Sequence, residues 1–244
     1  MEFLLALQFL SRIPVTLRGR VTEEKLARSM AWFPAIGLLL GLFTAAIYNG
    51  SSYFFASPVG DLFAVAFMVI ITGNMHGDGL MDTADGLFSG KPREQILEIM
   101  KDSRAGAHGV MAGCLVLLSK FVLLNQIPPT AKVTALILMP VVGRWPQVYG
   151  AARYPYARAN GGTGSFTRHV GPREITWASV TVIAAVILLL GIKGLVLAGI
   201  ALAGTVLLGI FIAKKIGGVT GDTLGCMTEI IEVITLIGLL ILVS

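Results

Sequence analysis

Residues 175 to 213 read ITWASVTVIAAVILLLGIKGLVLAGIALAGTVLLGIFIA, two apolar runs separated by the short connection 191 to 194. Each run has about 20 residues, the length that crosses the apolar core of a bilayer as a helix. Because the connection is so short, the two helices are predicted to form a tight antiparallel hairpin. The pattern therefore predicts a fold of membrane-spanning helices.

The rest of the chain has the same character. Of its 244 residues, 55% are hydrophobic and only 14% are charged, which is too little polar surface for an ordinary soluble domain. Segment 2 to 13 is apolar but too short to cross. We expect one integral membrane catalytic domain over 1 to 244, an all-α polytopic helix bundle with an N-terminal interfacial or re-entrant helix. About seven transmembrane helices are predicted, near 32 to 49, 59 to 75, 108 to 124, 131 to 148, 175 to 192, 194 to 213 and 226 to 243.

The positive charges indicate topology. A net charge of +5 could suggest a nucleic-acid partner, but with the N-terminus inside, fifteen of the nineteen Lys and Arg fall in cytoplasmic segments. Lys132 and Lys193 fall in outer loops, and Lys120 and Arg144 lie within spans near an end, from which they are expected to reach water. We predict a cytoplasmic N-terminus, an outer C-terminus, the lipid bilayer as partner and no nucleic acid.

Three aspartates follow the second span in His76-Gly-Asp-Gly-Leu-Met-Asp-Thr-Ala-Asp-Gly. Asp78, Asp82 and Asp85 stand at i, i+4 and i+7, so a helix would place all three on one face. Like charges this close need a cation, and carboxylate oxygens suit Mg²⁺. The alternative is a solvated acidic turn. For His76, packing or capping is as good an explanation as metal ligation.

A second acidic set begins the last span. Asp222 precedes Glu229 and Glu232, which are i, i+3 neighbours in an apolar helix. We expect these three to complete the same metal site, because Lys214 and Lys215 are long enough to stay in water. The alternative is a structural ion network with Lys214, Lys215 or Arg144.

Two further segments carry groups suited to phosphate. Lys101-Asp-Ser-Arg-Ala-Gly combines Asp102 and Arg104, both predicted to be catalytic with Asp82 and Asp85. It follows a predicted amphipathic surface helix, Pro92 to Met100. The second segment, residues 144 to 164, is rich in arginine, tyrosine and glycine. Such a composition can hold phosphate, but it also satisfies the positive-inside rule. The substrate-binding residues predicted from the two segments are Lys101, Arg144, Arg158, Gly162 and Gly164.

Asp82-Thr-Ala-Asp85-Gly86 resembles half of the aspartate motif of CDP-alcohol phosphotransferases, but the second half is missing. A resemblance to the cobalamin synthase (adenosylcobinamide-GDP ribazoletransferase) family covers nearly the whole chain. Its five ordered matches are QFLSRIPV at 8 to 15, HGDGLMDTADGLF at 76 to 88, MKDSRAGAHGV at 100 to 110, YARANGGTGSF at 156 to 166 and GGVTGDTLGCMTEIIE at 217 to 232.

The resemblance implies that the hydroxyl of α-ribazole, or of its 5′-phosphate, attacks the cobinamide-bound phosphate of adenosylcobinamide-GDP and releases GMP. It also implies Mg²⁺ dependence, a prokaryotic cytoplasmic membrane and a substrate-binding role for Arg12 in the first match. An ion-coupled transporter is the alternative, since it too would hold carboxylates in its spans. A scaffold would leave three aspartates in register unexplained, and a homo-oligomer is left open.

Overall fold

The computed structural model describes residues 1 to 17, 19 to 158 and 164 to 243. These residues form helices and contain no β-strand, which confirms the all-α fold. The helices are α1 (Glu2–Leu10), α2 (Glu23–Ser29), α3 (Phe33–Ser52), α4 (Ser57–Thr72), α5 (Met75–Leu87), α6 (Arg93–Ile99), α7 (Ala107–Gln126), α8 (Pro129–Arg153), α9 (Pro172–Leu190), α10 (Lys193–Ile216) and α11 (Gly221–Val243), with 3₁₀ turns at Met30–Trp32 and Ser165–His169.

A helix lies at each of the seven predicted spans, but fewer of them are long and apolar enough to cross a membrane. Within the described part of the chain, five helical segments meet that description: Glu23–Ser52, α7, α9, α10 and α11. A sixth crossing results if α4 and α5, which meet at a bend of 86°, form one broken span. The chain is therefore a multi-pass membrane protein with five or six such spans.

The predicted fourth span, α8, is not among those five because it is less apolar than they are, and it is surrounded mostly by protein. It packs against α3 on one side and α11 on another, and most of its residues are buried. Gly37 and Gly41 of α3 allow this approach: a Cβ at Gly37 would lie 2.4 Å from the Pro140 carbonyl oxygen. Small residues four apart are a common way for membrane helices to approach closely. A helix enclosed in this way needs no apolar surface for lipid.

The smaller predicted elements are also present. α9 and α10 are joined through Gly191 and Ile192, and the Gly194 N–H bonds to the Gly191 carbonyl, so the tight hairpin is confirmed. The N-terminal helix α1 has nine residues and buries Leu10 in the core. The helix predicted at Pro92 to Met100 is α6, which packs Met100 against Gly86 of α5.

Lys132 is not in an outer loop, contrary to the sequence prediction. It lies in the first turn of α8, fully buried, and its Nζ is 2.9 Å from Asp61 Oδ1 of α4. Ser57 and Asn125 add hydrogen bonds to the Asp61 carboxylate, and Lys132 also lies over the Tyr48 ring. Burial of the lysine is tolerated because its charge is paired and its donors have acceptors. This pair joins α4, α7 and α8 at the end opposite the aspartates.

Candidate active site

The aspartate segment is helical because a backbone turn starts a new helix after α4. Gly73 and Asn74 both adopt left-handed conformations, with φ of 61° and 57°, and α5 begins at Met75. Arg12 lies at this turn: its N–H donates to the Ile71 carbonyl at 2.7 Å, and its guanidinium packs on Gly73. A side chain at Gly73 would collide with it. Arg12 is thus held at the start of α5.

The shared face of the three aspartates is formed by α5, as predicted. Asp78 is exposed, whereas Asp82 and Asp85 are half-buried. Asp82 lies within electrostatic reach of Asp78, Asp85 and Asp222, with the positive charge of Arg158 also near. We call these four carboxylates the aspartate face. It gathers four carboxylates near one arginine, so it attracts cations.

Close approach of α5 and α11 brings Asp222 to this face. A Cβ at Gly79 would lie 2.7 Å from the Asp222 carbonyl oxygen, so no larger residue fits there. Thr220 and Thr223 cap the start of α11 reciprocally, with N–H to hydroxyl distances of 2.8 and 3.2 Å. Together these contacts fix Asp222 in the first turn of α11.

Asp85 has a structural partner of its own. Its two carboxylate oxygens accept the N–H groups of Gly106 and Gly109 at 2.7 and 2.8 Å, so it caps the start of α7. The two glycines permit this contact, because a Cβ at Gly109 would lie 2.3 Å from Asp85 Oδ2. Asp85 therefore joins α5 to α7, and its charge still acts on Asp82.

Arg158, predicted to bind phosphate, contacts the predicted metal ligand Asp222. An isolated β-bridge between Tyr156 and Val219 brings the segment before Arg158 next to the segment before α11. Arg158 Nη2 lies 2.8 Å from Asp222 Oδ2. The Nε of Arg158 is buried and has no hydrogen-bond partner among the described residues. A phosphate oxygen beside it would satisfy that donor.

The other residues predicted to bind phosphate do not all lie near the aspartate face. Gly162 lies outside the described residues. Gly164 packs against Tyr156 and the start of α11, where a Cβ would lie 3.2 Å from the Gly221 nitrogen. Lys101 is exposed in the connection before α7. Of this group, Gly164 and Arg158 lie next to the aspartate face.

Asp102 and Arg104, predicted to be catalytic, pair with each other on the surface. Arg104 Nη2 lies 2.7 Å from Asp102 Oδ2, and Arg104 Nε lies 3.0 Å from Oδ1. Hydrogen bonds from Arg104 lower the pKa of Asp102 to about 2. Since the Arg104 side chain is 87% exposed, the pair is free to rearrange around a substrate.

Glu229 and Glu232 do not need the bound cation that the sequence suggested. Lys120 of α7 lies 2.7 Å from Glu229 Oε2 and also contacts Glu232, which in turn pairs with Arg144 of α8. We call these four residues the central network. Its two negative charges are matched by two positive ones, which favours the structural alternative that named Arg144.

Lys120 and Arg144 were expected to reach water, and that expectation is wrong. They are 6% and 1% exposed. The error arose from helix length: α8 continues to Arg153, so Arg144 lies nine residues inside the helix, about 14 Å from its end at 1.5 Å per residue. The Arg144 side chain cannot extend that far, and Lys120 contacts the two glutamates instead, so the position of Arg144 does not support its predicted phosphate role. An ionisable residue within a span needs a partner, and that rule indicates from sequence alone that Lys120 and Arg144 are paired, but not with which acid.

His76, left open by the sequence, has a buried partner that sequence reasoning missed. Its Nε2 lies 3.0 Å from Nε2 of Gln147 in α8, and both side chains are buried. His76 is therefore held by packing and by this contact. Nothing in the sequence distinguishes Gln147 from any other polar residue of a buried helix.

The donor chemistry of the aspartate face fits Mg²⁺. Hard carboxylate oxygens are what this ion prefers, and it is commonly bound by one or two carboxylates together with water and substrate phosphate. The described residues form no preformed cluster of three or more metal-binding side chains. Because Mg²⁺ does not require a complete protein cage, the exposed Asp78 and half-buried Asp82 suffice as first ligands, with phosphate supplying others.

Comparison with known proteins adds the family. The sequence profile described as cobalamin-5-phosphate synthase matches residues 2–240. The chain belongs to the cobalamin-5-phosphate synthase family. It is similar to adenosylcobinamide-GDP ribazoletransferases from Desulforamulus reducens, with 39% identity over 93% of this chain and 91% of the relative, and from Acetivibrio thermocellus, with 38% identity over 97% and 96%. No solved structure matches significantly.

Membership in this family decides between the alternatives that the sequence left open. The relatives are enzymes of cobalamin biosynthesis by name, so this family member is an enzyme and not an ion-coupled transporter or a scaffold. The aspartate motif and the Arg158 loop both fall within the matched residues. The aspartate face is therefore the candidate active site.

Proposed function

We propose that the protein is a membrane-bound, Mg²⁺-dependent transferase that joins adenosylcobinamide-GDP to α-ribazole or α-ribazole 5′-phosphate. A ribose hydroxyl oxygen forms a bond to the phosphorus attached to cobinamide. The bond from that phosphorus to the bridging oxygen breaks, and GMP leaves. The hydroxyl proton is released, and the product is adenosylcobalamin or its 5′-phosphate. The names of the relatives support this pair of substrates.

The observation that carries this proposal is the excess negative charge around Asp82. Three other carboxylates lie within its electrostatic reach, and one arginine does. Phosphoryl transfer requires positioning and charge neutralisation more than covalent chemistry. We assign Asp78 and Asp82 as the direct ligands of Mg²⁺, with Asp85 and Asp222 adding negative charge beside it. The bound ion would neutralise the charge that develops on the transferred phosphate.

The protein's own groups have distinct tasks in this reaction. Arg158 holds Asp222 through one guanidinium nitrogen and offers its unpartnered Nε to a phosphate oxygen. Arg12, fixed at the turn before α5, supplies a second positive charge at the edge of the site. Asp82 is half-buried and lies within electrostatic reach of the other three carboxylates, so it is also suited to receive the hydroxyl proton.

We further propose that the site faces the cytoplasm of a prokaryotic cell. The support is the distribution of basic residues, which are concentrated in segments on the side that carries the aspartate face. Nucleotide substrates are available on that side. A map of cysteine accessibility in membrane vesicles tests this orientation, and labelling of the 101 to 104 segment only from the outer face would contradict it.

The function is tested by assaying purified protein in liposomes with adenosylcobinamide-GDP, α-ribazole and Mg²⁺, and by repeating the assay with the 5′-phosphate. We expect GMP and the joined cobalamin product in equal amounts. The Asp82→Asn variant is the negative control, since the amide keeps the size of the side chain but loses its charge. Absence of joined product with both α-ribazole and its 5′-phosphate, in protein that retains its melting temperature, would contradict the proposal.

A further inference from the structure

A cavity of about 380 Å³ lies beside the aspartate face and has no role in the reaction as described so far. It is enclosed by α1, α3, α5, α8, α11 and the turn at Ser165–His169. Binding sites for small molecules have volumes of about 300 to 1,000 Å³. This space fits one bicyclic base with part of its sugar, and it is too small for a corrin ring.

The wall of this cavity is aromatic. Phe9 stacks on Phe33 with ring centroids 5.8 Å apart, and it meets Phe166 edge to face at 5.6 Å. All three rings line the cavity. They come from α1, α3 and the turn after the glycine-rich loop, three segments far apart in sequence. Aromatic rings arranged in this way form a surface on which a planar base can pack.

A buried polar pair interrupts the mostly apolar wall, whose other buried polar residue, Thr167, donates its hydroxyl to the Gly164 carbonyl. His76 and Gln147 both line the cavity and lie 3.0 Å apart. Their contact uses one of the hydrogen-bonding groups of the Gln147 amide, which has two N–H groups and a carbonyl. The amide can therefore offer a further hydrogen bond to a ligand. A pair of this kind fits a ligand with few polar atoms better than one with many.

The cavity borders the aspartate face, since Asp78 and Asp222 line the same space. A ligand with its base against the phenylalanines would extend its ribose toward these carboxylates. That is where the ribose hydroxyl must stand to meet the phosphate. The cavity and the aspartate face thus have the relative positions of a base subsite and a reaction centre.

We propose that this cavity binds the benzimidazole base of ribazole, with Gln147 donating a hydrogen bond to the unsubstituted ring nitrogen. The inference rests on the proposed function and adds the place of one substrate. The benzimidazole of a nucleoside has no N–H donor and one acceptor nitrogen. Guanine, the other base in the reaction, carries three N–H hydrogens and three acceptors on its edges, most of which the aromatic wall would leave unpaired.

The first test compares Phe166→Leu with Phe211→Leu, which removes a ring from the exposed side of α10. We expect Phe166→Leu to raise KM for α-ribazole about tenfold and to leave KM for adenosylcobinamide-GDP unchanged. Phe211→Leu should change neither. A rise in KM for adenosylcobinamide-GDP alone would assign the cavity to guanine and overturn the proposal.

The second test removes the ring nitrogen from the ligand and its partner from the protein. An indole analogue of α-ribazole, with CH in place of the acceptor nitrogen, should bind about tenfold more weakly to the wild-type protein, since one hydrogen bond is lost. With Gln147→Leu, the nucleoside and its analogue should bind equally. Binding is read as the rise in melting temperature without the second substrate, so a variant with low turnover remains informative.

The two proposals fail in different ways. If wild-type protein forms no joined product with α-ribazole or its phosphate, the proposed function fails and this inference fails with it. If product forms but Phe166→Leu leaves KM for α-ribazole unchanged, only the cavity assignment is overturned. The same conclusion follows if Gln147→Leu still distinguishes the indole analogue as the wild-type protein does.

Discussion

The aspartate face and the central network are two sets of acidic residues with opposite surroundings. The face gathers four carboxylates near one arginine at an open end of the bundle. In the network, by contrast, Glu229 and Glu232 meet Lys120 and Arg144, so that two negative charges face two positive ones. Glu232 lies eleven residues inside α11, about 16 Å from its start at 1.5 Å per residue.

This difference shows that the role of a carboxylate in a membrane helix depends on the charges around it and cannot be read from the presence of the acid alone. A buried acid whose charge is already matched contributes to the packing of the bundle, and removing its partner leaves an uncompensated charge. An acid among like charges at a polar surface is available to a metal ion. The four predictions that follow are ways to break this distinction.

The largest effect is expected at Asp82. Replacing it by Asn removes one charge from the aspartate face, so turnover should fall by about a thousandfold through loss of electrostatic stabilisation. The melting temperature should stay the same or rise, because repulsion by Asp78, Asp85 and Asp222 is relieved. Turnover and melting temperature are measured on one preparation. Near-normal turnover at saturating Mg²⁺ would remove Asp82 from the reaction.

The opposite result is expected at Glu232, which is 1% exposed. Glu232→Gln leaves Arg144 without its charge partner, and the loss of stability should be about 3 kcal/mol. The control is the double variant Glu232→Met with Arg144→Met, which removes the pair together and keeps Lys120 with Glu229. We expect it to recover most of the lost stability, as seen by thermal unfolding. Equal destabilisation by the single and double variants would show that charge balance is not the cause.

An intermediate effect is expected at Asp85, the member of the aspartate face that also caps α7. In Gly109→Ala the new Cβ would lie 2.3 Å from Asp85 Oδ2 and 2.8 Å from the Met81 carbonyl oxygen. Displacing these atoms should cost about 2 kcal/mol of stability and lower turnover as well. Gly113→Ala is the control on the same helix, because its Cβ meets only the flexible Met81 side chain, at 3.3 Å. Equal effects of the two substitutions would show that the contact between Asp85 and the start of α7 does not contribute to stability.

The smallest effect is expected at Asp102. Arg104 lowers the pKa of Asp102 to about 2, below its unfolded value, so the pair contributes stability at neutral pH that is lost only as the pH falls toward 2. Because the pair is exposed, Asp102→Asn should leave thermal unfolding nearly unchanged from pH 6 to 9 and lower turnover less than about tenfold. A larger loss of turnover would restore the catalytic role predicted from sequence.

Apolar length and local charge spacing allowed much of the fold to be predicted. The helices at all seven predicted spans, the hairpin at Gly191 and the shared face of Asp78, Asp82 and Asp85 follow from patterns within about 20 residues. The partner of each buried charge does not follow from such a local pattern. Lys120 and Glu232 are separated by 112 positions, and their contact depends on how α7 packs against α11.

The burial of α8 could not be predicted from the sequence either. Its sequence carries Lys132, Arg144 and two internal prolines, and the apolar run between them led to the prediction of an ordinary span with charges near its ends. Only its enclosure by α3 and α11 explains why these charges can stay inside. The cavity beside Gln147 is hidden for the same reason, since its wall comes from six separate segments.

The separation of the two acidic sets is tested most directly by the Mg²⁺ activation curve of Glu229→Gln beside that of Asp78→Asn. Glu229 pairs with Lys120, which also contacts Glu232, so the variant keeps one acidic partner for the lysine. We predict an unchanged half-activating Mg²⁺ concentration for Glu229→Gln together with a lower melting temperature. Asp78→Asn should raise that concentration several-fold. A comparable rise for Glu229→Gln would contradict the distinction and return Glu229 to the metal site.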